Sequence, residues 1–532
     1  MRDTVLLVVF ATLCLFSWSD ASAIERVIAV GWDEPSPARL KRDISDFELK
    51  TSFTGFVVKP TRLLNGNKEV FAYNVFESGK WQWQDFQTAF NHLKAIQSPT
   101  LSQSYLLVSA NPGNLDWFDD VAWVDVTNHW RFLARLAKKS GLKGFFLDIE
   151  PYYPPAKQFC YLCQEKSAIV EFDVYKKKVR QRASKIMKAV IEEFPDVEIF
   201  STRLLSDLVQ APEHDALLEN YLINHEYGLV PSFMDGWIDV LKKTDNDVIL
   251  IDGNEALSYV SNSEQDFRGS YTLLKVKAPL LLDEDNRSYF SKIFHVSHGI
   301  YLDAYLNDAS NYWFINRKDS SLASRVVANM FSAIRSSDGL IWVYGEKGLW
   351  WQSYTYGNYK KWSDRIPNIS EAMRYLVKKE VDKNNYLKSR NLVKDAWGLW
   401  KRSSSDQGVF VSEKKGLLLS RVSDGCISQG IPLLSDILVS VGVGVVFEEA
   451  NKSYPYVSVR WKNQYGEWMS PQYDVLLSLP TGKSSAQKNQ IYGTVRPPSG
   501  ASRLILSLCV KAKKSTEDNI LYTDPAVRIL NW

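Results

Sequence analysis

The chain lacks most of the features that mark nucleic-acid, membrane or metal proteins. Its 64 Lys and Arg are nearly matched by 61 Asp and Glu, leaving a net charge of +3. No basic block or stripe stands out, which argues against nucleic acid as a partner. Beyond the N-terminus no apolar run is long enough to span a bilayer. Cysteine is sparse, with 5 in 532 residues. Cys160 and Cys163 form a C-x-x-C, but no second ligand pair follows at useful spacing, so zinc is disfavoured. No Gly-rich phosphate loop follows the first strand-like run, which weakens a nucleotide-binding reading. No internal repeat is visible. No metal and no cofactor are implied.

What is present begins at the N-terminus. "TVLLVVFATLCLF" is followed by "SWSDASA" and Ile24, the hydrophobic region and A-x-A-like site of a secretory signal over 1–23. An uncleaved anchor is the alternative. The chain is therefore expected to be secreted or periplasmic. Of the four remaining cysteines, Cys160–Cys163 would make a local clip and Cys426–Cys509 a staple, as an oxidising compartment permits. Aromatic residues make up 13%, with 18 Trp and 26 Tyr. They suit either a large core or a wall on which sugars stack.

The length suggests two or three domains. Eight strand-like runs occupy 26–32, 53–59, 105–111, 144–150, 197–203, 247–253, 299–305 and 339–345. Helical patterns lie between them, clearest in "WVDVTNHWRFLARLAKKSG", "EFDVYKKKVRQRASKIMKAVIEEFP", "FMDGWIDVLKKT" and "SLASRVVANMFSAIRSS". Gly141 stands where a C-cap glycine belongs. The alternation implies parallel strands with right-handed crossovers. It fits an α/β fold, a (β/α)8 TIM barrel over 24–390, with a doubly wound open sheet as competitor. After about residue 395 the pattern becomes short β-prone runs separated by Gly, Pro, Ser and Asn. That predicts an all-β sandwich over 397–532, carbohydrate-binding-like or structural.

Barrel active sites lie at the C-terminal ends of the strands, and acidic residues gather there. They are Asp33 with Glu34, Asp148 with Glu150, Asp252 with Glu255, Asp303, and Glu346. Trp32, Tyr152, Tyr153, Tyr259, Tyr305, Trp342, Trp350 and Trp351 are their aromatic neighbours. Asp148 and Glu150 are two apart on a strand and so share a face. Carboxylates beside aromatic walls suit glycosidic cleavage, in which one acid protonates the leaving oxygen and another attacks or activates water. "INHEYGLVPSF", with His225 and Glu226, reads as a loop lining the pocket.

Residues 26–350 resemble the (β/α)8 glycoside hydrolases. "GFFLDIEPY" is similar to the end of the fourth-strand Asp-x-Glu motif of chitinase-like hydrolases, although Lys143 and Phe146 replace its earlier aspartates. That resemblance implies Glu150 as proton donor and Asp148 as its helper. The strand also resembles α-galactosidase and α-glucosidase barrels, which would assign Asp148 as nucleophile and Asp252 as acid. The expected activity is hydrolysis of a glycosidic bond in an oligo- or polysaccharide, with Glu150, Asp148, Asp252 and Glu346 catalytic. Trp32, Asp33, Tyr152, Glu255, Asp303, Trp342, Trp350 and Trp351 are the expected substrate contacts. A sugar-binding or scaffold barrel without catalysis is the alternative of a different class, and hydrolase or lyase action on a non-sugar polymer is a third. Asn286, Asn368 and Asn451 begin glycosylation sequons.

Overall fold

The structure, a computed structural model, describes residues 26–152, 157–316, 321–352, 359–378, 401–404, 409–413, 416–420, 424–433, 438–447, 453–479, 489–512 and 519–530. The expected signal segment, Tyr153 and the expected boundary near 390–397 lie outside these residues.

Nine short strands run parallel around one sheet: β1 (Arg26–Ala29), β2 (Gly55–Val58), β3 (Tyr105–Pro112), β4 (Gly144–Asp148), β5 (Glu198–Ser201), β6 (Ile249–Asp252), β7 (Phe294–Val296), β8 (His298–Tyr301) and β9 (Leu340–Tyr344). Their order is β7-β6-β5-β4-β3-β2-β1-β9-β8. The sheet is thus a nearly closed parallel barrel. β7 and β8 are consecutive in the chain and separated by Ser297 alone. Its N–H donates to Asp252 O at 2.8 Å, and its hydroxyl donates to Leu340 O at 2.9 Å. The run expected at 299–305 therefore starts earlier and ends at Tyr301, where Leu302–Tyr305 turns into a 3-10 helix. A hairpin (Thr61–Leu64 with Lys68–Phe71) and a short strand (Asn74–Phe76) beside β3 had no sequence counterpart.

Helices cover the outside: α1 (Pro37–Lys50), α2 (Gln87–Lys94), α3 (Asp120–Ser140), α4 (Phe172–Glu193), α5 (Val230–Leu241), α6 (Glu264–Lys277), α7 (Leu322–Arg335) and α8 (Ile369–Lys378). α3 starts where the Asp119 carboxylate accepts the N–H groups of Val121 and Ala122, each at 3.0 Å. It ends at Gly141, whose φ of 78° suits a residue without Cβ. α4 buries Phe172, Tyr175, Val179, Ala183, Ile186 and Val190, a spacing of three and four that makes one apolar stripe. Each such large side chain contributes about 1.5–3 kcal/mol.

Strand parity divides the barrel residues into two sets. Ile28, Val57, Tyr105, Phe146, Phe200, Ile251 and Trp342 form one apolar cluster inside the ring. Their neighbours Val27, Phe56, Leu106, Phe145, Ile199, Leu250 and Ile341 are all buried in the larger core beneath the helices. The N-terminal end is closed by Glu198, which pairs with Arg26 at 2.7 Å and accepts from Tyr105 at 2.7 Å. Gly144 permits the close approach of β5, since a Cβ there would lie 1.8 Å from Glu198 O.

The C-terminal residues form two five-stranded antiparallel sheets, sandwich-like in sharing one apolar core. In the first, Val457, Val459 and Trp461 point into that core, as the alternation of 456–461 predicts. Both expected disulfides are present. Cys426 and Cys509 are cross-strand neighbours with Cα atoms 4.1 Å apart, and Cys160–Cys163 closes a local loop. Of the sequons, Asn286 is buried and receives Lys242 Nζ at 2.7 Å, which removes it as a glycan acceptor in the folded chain. Asn368 is exposed, and Asn451 lies outside the described residues. Among the described residues no helix is long and apolar enough to cross a membrane.

Candidate functional site

At the C-terminal mouth the acidic residues divide by the partners they face. Asp33, Asp252 and Asp303 bind main-chain N–H groups. Asp252 Oδ2 accepts from Leu204, Leu205 and Ser206 at 3.0, 2.8 and 2.9 Å, and its Oδ1 accepts from Asn254 at 2.8 Å. Since Ile251 points into the barrel, Asp252 points out of it, beneath the loop after β5. Its side chain is fully buried. Asp33 accepts from Trp350 and Trp351 at 3.1 and 2.9 Å, and Asp303 from Glu346 and Lys347 at 2.6 and 3.1 Å. All three fasten loops, and burial raises all three carboxyl pKa values against those hydrogen bonds.

A different set meets a cation. Arg203, just beyond β5, contacts Glu150 Oε1 through Nη2 at 2.5 Å, Glu255 Oε2 through the same Nη2 at 2.8 Å, and Asp207 Oδ2 through Nη1 at 3.0 Å. Its guanidinium also lies over the Tyr227 ring, 5.9 Å from the centroid. Burial works against the Arg203 charge, but the carboxylates of Glu255, Asp207 and Glu150 outweigh it and raise its pKa. Glu150 Oε2 accepts from the Tyr152 hydroxyl at 2.7 Å, and the Glu150 N–H donates to Asp148 Oδ1 at 2.9 Å. Asp148 is pushed up to about 7 by burial first and by the Glu150 charge second. Glu255 is raised by burial and by Glu150, against the pull of Arg203. Glu34, near the end of β1, is also pushed up to about 7 by burial, with Lys59 Nζ 3.7 Å away.

Next to these acids the mouth is aromatic. Tyr259 stacks on Tyr301 with centroids 4.7 Å apart, and Tyr301 on Tyr344 at 5.8 Å. Tyr344 donates to Glu346 Oε1 at 3.1 Å and receives the indole N–H of Trp32, an exposed ring. Burial holds the Tyr301 and Tyr344 phenols above their ordinary pKa, and the charges of both Glu346 and Glu255 add to it. The mouth therefore holds carboxylates beside a stack of tyrosines, close enough for the Glu255 charge to act on all three rings.

The structure brings together Glu150, Asp148, Tyr152 and Glu255, and at the tyrosine stack Glu346 and Trp32. Trp342 is fully buried below the stack, its indole donating to Gly253 O at 2.9 Å. Trp350 and Trp351, expected on the pocket wall, are buried in the outer core. Trp351 stacks on Phe47 of α1 at 4.0 Å, and Trp350 meets Phe53 edge-on at 4.8 Å. His225 packs on Tyr221 at 5.2 Å and accepts the Tyr227 N–H at 3.1 Å; Glu226 pairs with Lys157. Sequence reasoning missed Arg203, Asp207 and Tyr227. The one available signal was Arg203 in "FSTRLLSD", a cation at the end of a strand otherwise flanked by acids.

No family model matches the chain, and no curated protein matches it. Among solved structures, 169 chains show similarity. One is the enzymatically active domain of bacteriophage CBA120 tailspike protein 4, 15% identical over 27% of this chain and 21% of that one, with a TM-score of 0.23. This chain thus spans about a fifth of that protein's length. A second is a carbohydrate-binding module, TmCBM61, in complex with β-1,4-galactotriose, 14% identical over 28% of this chain and all of that one, with a TM-score of 0.20. A third is the CBM22-1–GH10 portion of Clostridium thermocellum endo-1,4-β-D-xylanase 10B, 11% identical over 28% of each chain, with a TM-score of 0.21. Likenesses at this level assign neither family nor activity, so the chemistry rests on the residues of the mouth.

Proposed function

We propose that the chain is a secreted glycoside hydrolase, with a (β/α)8 barrel over 24–390 and a sandwich over 397–532. In this reading β7 and β8 are one strand interrupted at Ser297, giving eight strands. The observation that carries the proposal is the convergence of Glu150 and Glu255 on one Arg203 nitrogen, beside Asp148 and the tyrosine stack. The two carboxylate oxygens lie no farther apart than 2.5 and 2.8 Å laid end to end, which suits the ~5–5.5 Å spacing of retaining pairs. Arg203 and the Tyr152 hydroxyl fix the Glu150 carboxylate in place, and it is assigned to attack on the anomeric carbon. Glu255, with its raised pKa, is the proton donor to the leaving oxygen and later the base that takes a proton from water. Roles therefore shift from the sequence expectation. Glu150 becomes nucleophile, Asp148 and Tyr152 orient it, and Asp252 leaves the catalytic set because four main-chain donors occupy its oxygens.

The test is turnover of polysaccharides and aryl glycosides by the wild type, Glu255→Gln and Glu150→Ala. Loss of Glu255 should spare aryl glycosides with good leaving groups, which need little protonation. Glu150→Ala should lose all substrates and be partly rescued by azide, yielding a glycosyl azide. A wild type that binds sugars and turns none over would favour the second reading, a binding barrel. One observation favours that alternative: Arg203 already occupies one oxygen of each carboxylate that catalysis needs.

A further inference from the structure

The near balance of charge along the sequence conceals one strongly positive place. A cleft of about 2270 Å³ separates the outer face of the first C-terminal sheet from α6 and α7. Eight Lys and Arg side chains line it, against two acidic ones, so its excess of six positive charges is twice the +3 of the whole chain. Both acids are already occupied. Glu264 pairs with Arg268 and Arg335, and Asp474 with Arg460.

Two features of the cleft cost stability in the absence of an anion. Lys462 and Arg503 stand directly opposite each other on neighbouring antiparallel strands, where like charges repel. Arg325, on α7, is half-buried and donates to the Asn262 amide oxygen. Burial lowers its pKa and the charge of Arg496 adds to this, against the pull of Tyr305 and Asp266. Between these cations the floor is shallow and hydroxylated. Ser428, Ser507 and Ser458 lie in one row across three strands, with Ser428 and Ser507 Oγ 2.7 Å apart. At Gly430 a Cβ would press on Arg503 at 3.2 Å. Trp468, half exposed, lies under both Arg460 (4.2 Å) and Lys462 (4.5 Å).

We propose that this cleft binds a carboxylate-bearing polysaccharide, a polyuronate strand. Its carboxylates would meet the guanidinium groups, whose planar fork matches them. Its hydroxyls would meet the serine row, and a pyranose face would lie on Trp468. The Cys426–Cys509 disulfide on the same wall suits an oxidising compartment. The proposal requires no turnover and stands apart from the barrel chemistry.

The experiment measures binding of the full chain to polygalacturonate, chondroitin sulfate, neutral xylan and a single-stranded DNA oligonucleotide. Polygalacturonate should bind tightest, with affinity falling at least about tenfold between about 50 and 200 mM salt. Lys462→Ser with Arg503→Ser should weaken binding about tenfold while the melting temperature holds or rises, since a repulsive pair is removed. Arg503→Gln alone, at an exposed position, gives a milder version in case the double variant folds poorly. Equal binding of xylan, tighter binding of the sulfated glycan or DNA, or unchanged affinity in both variants would overturn the proposal.

Discussion

Replacing Arg203 with Met should destabilise the barrel in a strongly pH-dependent way. Met keeps most of the volume and removes the charge. The change strips three carboxylates of their partner at 2.5, 2.8 and 3.0 Å, with only 26, 12 and 15% of their side chains exposed. A single pair at 3 Å and an effective dielectric near 20 is worth roughly 5 kcal/mol before desolvation. Breaking such a pair typically costs ~3–5 kcal/mol, because a charge is left buried without compensation. The carboxyl groups can escape by taking up protons. Asp148 and Glu255 already have folded pKa values above their unfolded ones, and losing Arg203 removes the charge that holds Glu255 and Asp207 down. A raised carboxyl pKa means that the folded state binds more protons than the unfolded state above about pH 4. Stability is then full at low pH and falls as pH rises through the folded value. Urea unfolding followed by tryptophan fluorescence should therefore show a loss of ~3–5 kcal/mol at pH 8 and ~1–2 kcal/mol at pH 5. Adding Glu255→Gln should recover part of the loss at pH 8 and little at pH 5. A loss below ~1 kcal/mol, or the same loss at both pH values, would refute the claim that Arg203 holds ionised acids together.

Other expectations concern residues that support the mouth. Asp252→Ala orphans four N–H groups in a closed site and should lower stability by ~3–5 kcal/mol in urea, water recovering the remainder of a larger penalty. Trp351→Ala should cost a similar ~3–5 kcal/mol, as large-to-small core changes do, while sugar binding per folded molecule stays unchanged; weakened binding would return Trp351 to the pocket. Replacing Cys426 and Cys509 with Ser opens a link across 83 residues and should cost ~4 kcal/mol in the chain-entropy picture. Calorimetry should then show the C-terminal transition lowered and the barrel transition in place.

The barrel was legible because alternating apolar strands and amphipathic helices leave few parallel topologies. Asp148 and Glu150 were legible because two acids after an apolar run are costly without a purpose. Asp252 was misread for a physical reason. β6 reads Ile-Leu-Ile-Asp and is buried on both faces, so nothing in it says which parity points inward. Once Ile251 is placed inside, Asp252 must lie outside. Trp350 and Trp351 misled in the same way, since a strand-end tryptophan covers the outer core as readily as it lines a cleft. Arg203 was hidden because a lone arginine beyond a strand carries no period and no motif. Its importance arises from three acids, fifty residues away on either side and in its own loop, arriving around it in space.

The kind of partner, rather than position along the rim, separates the acids by role. A carboxylate whose oxygens accept main-chain N–H groups is held by donors that carry no net charge and cannot leave, so it fixes a loop and has no free lone pair to offer a substrate. That describes Asp252, and Asp33 and Asp303 to a lesser degree. A carboxylate held by a side-chain cation can change its partner or its proton when a substrate enters. Glu150, Glu255 and Asp207 are of that kind, and they share one cation between three charges. Burial first, and the surplus negative charge second, push Asp148 and Glu255 towards protonation near neutrality. Proton exchange in this mouth should therefore centre on Asp148 and Glu255. The three loop-fastening aspartates should contribute to stability alone, and neutralising any of them should change the unfolding midpoint without moving the pH dependence of binding or turnover.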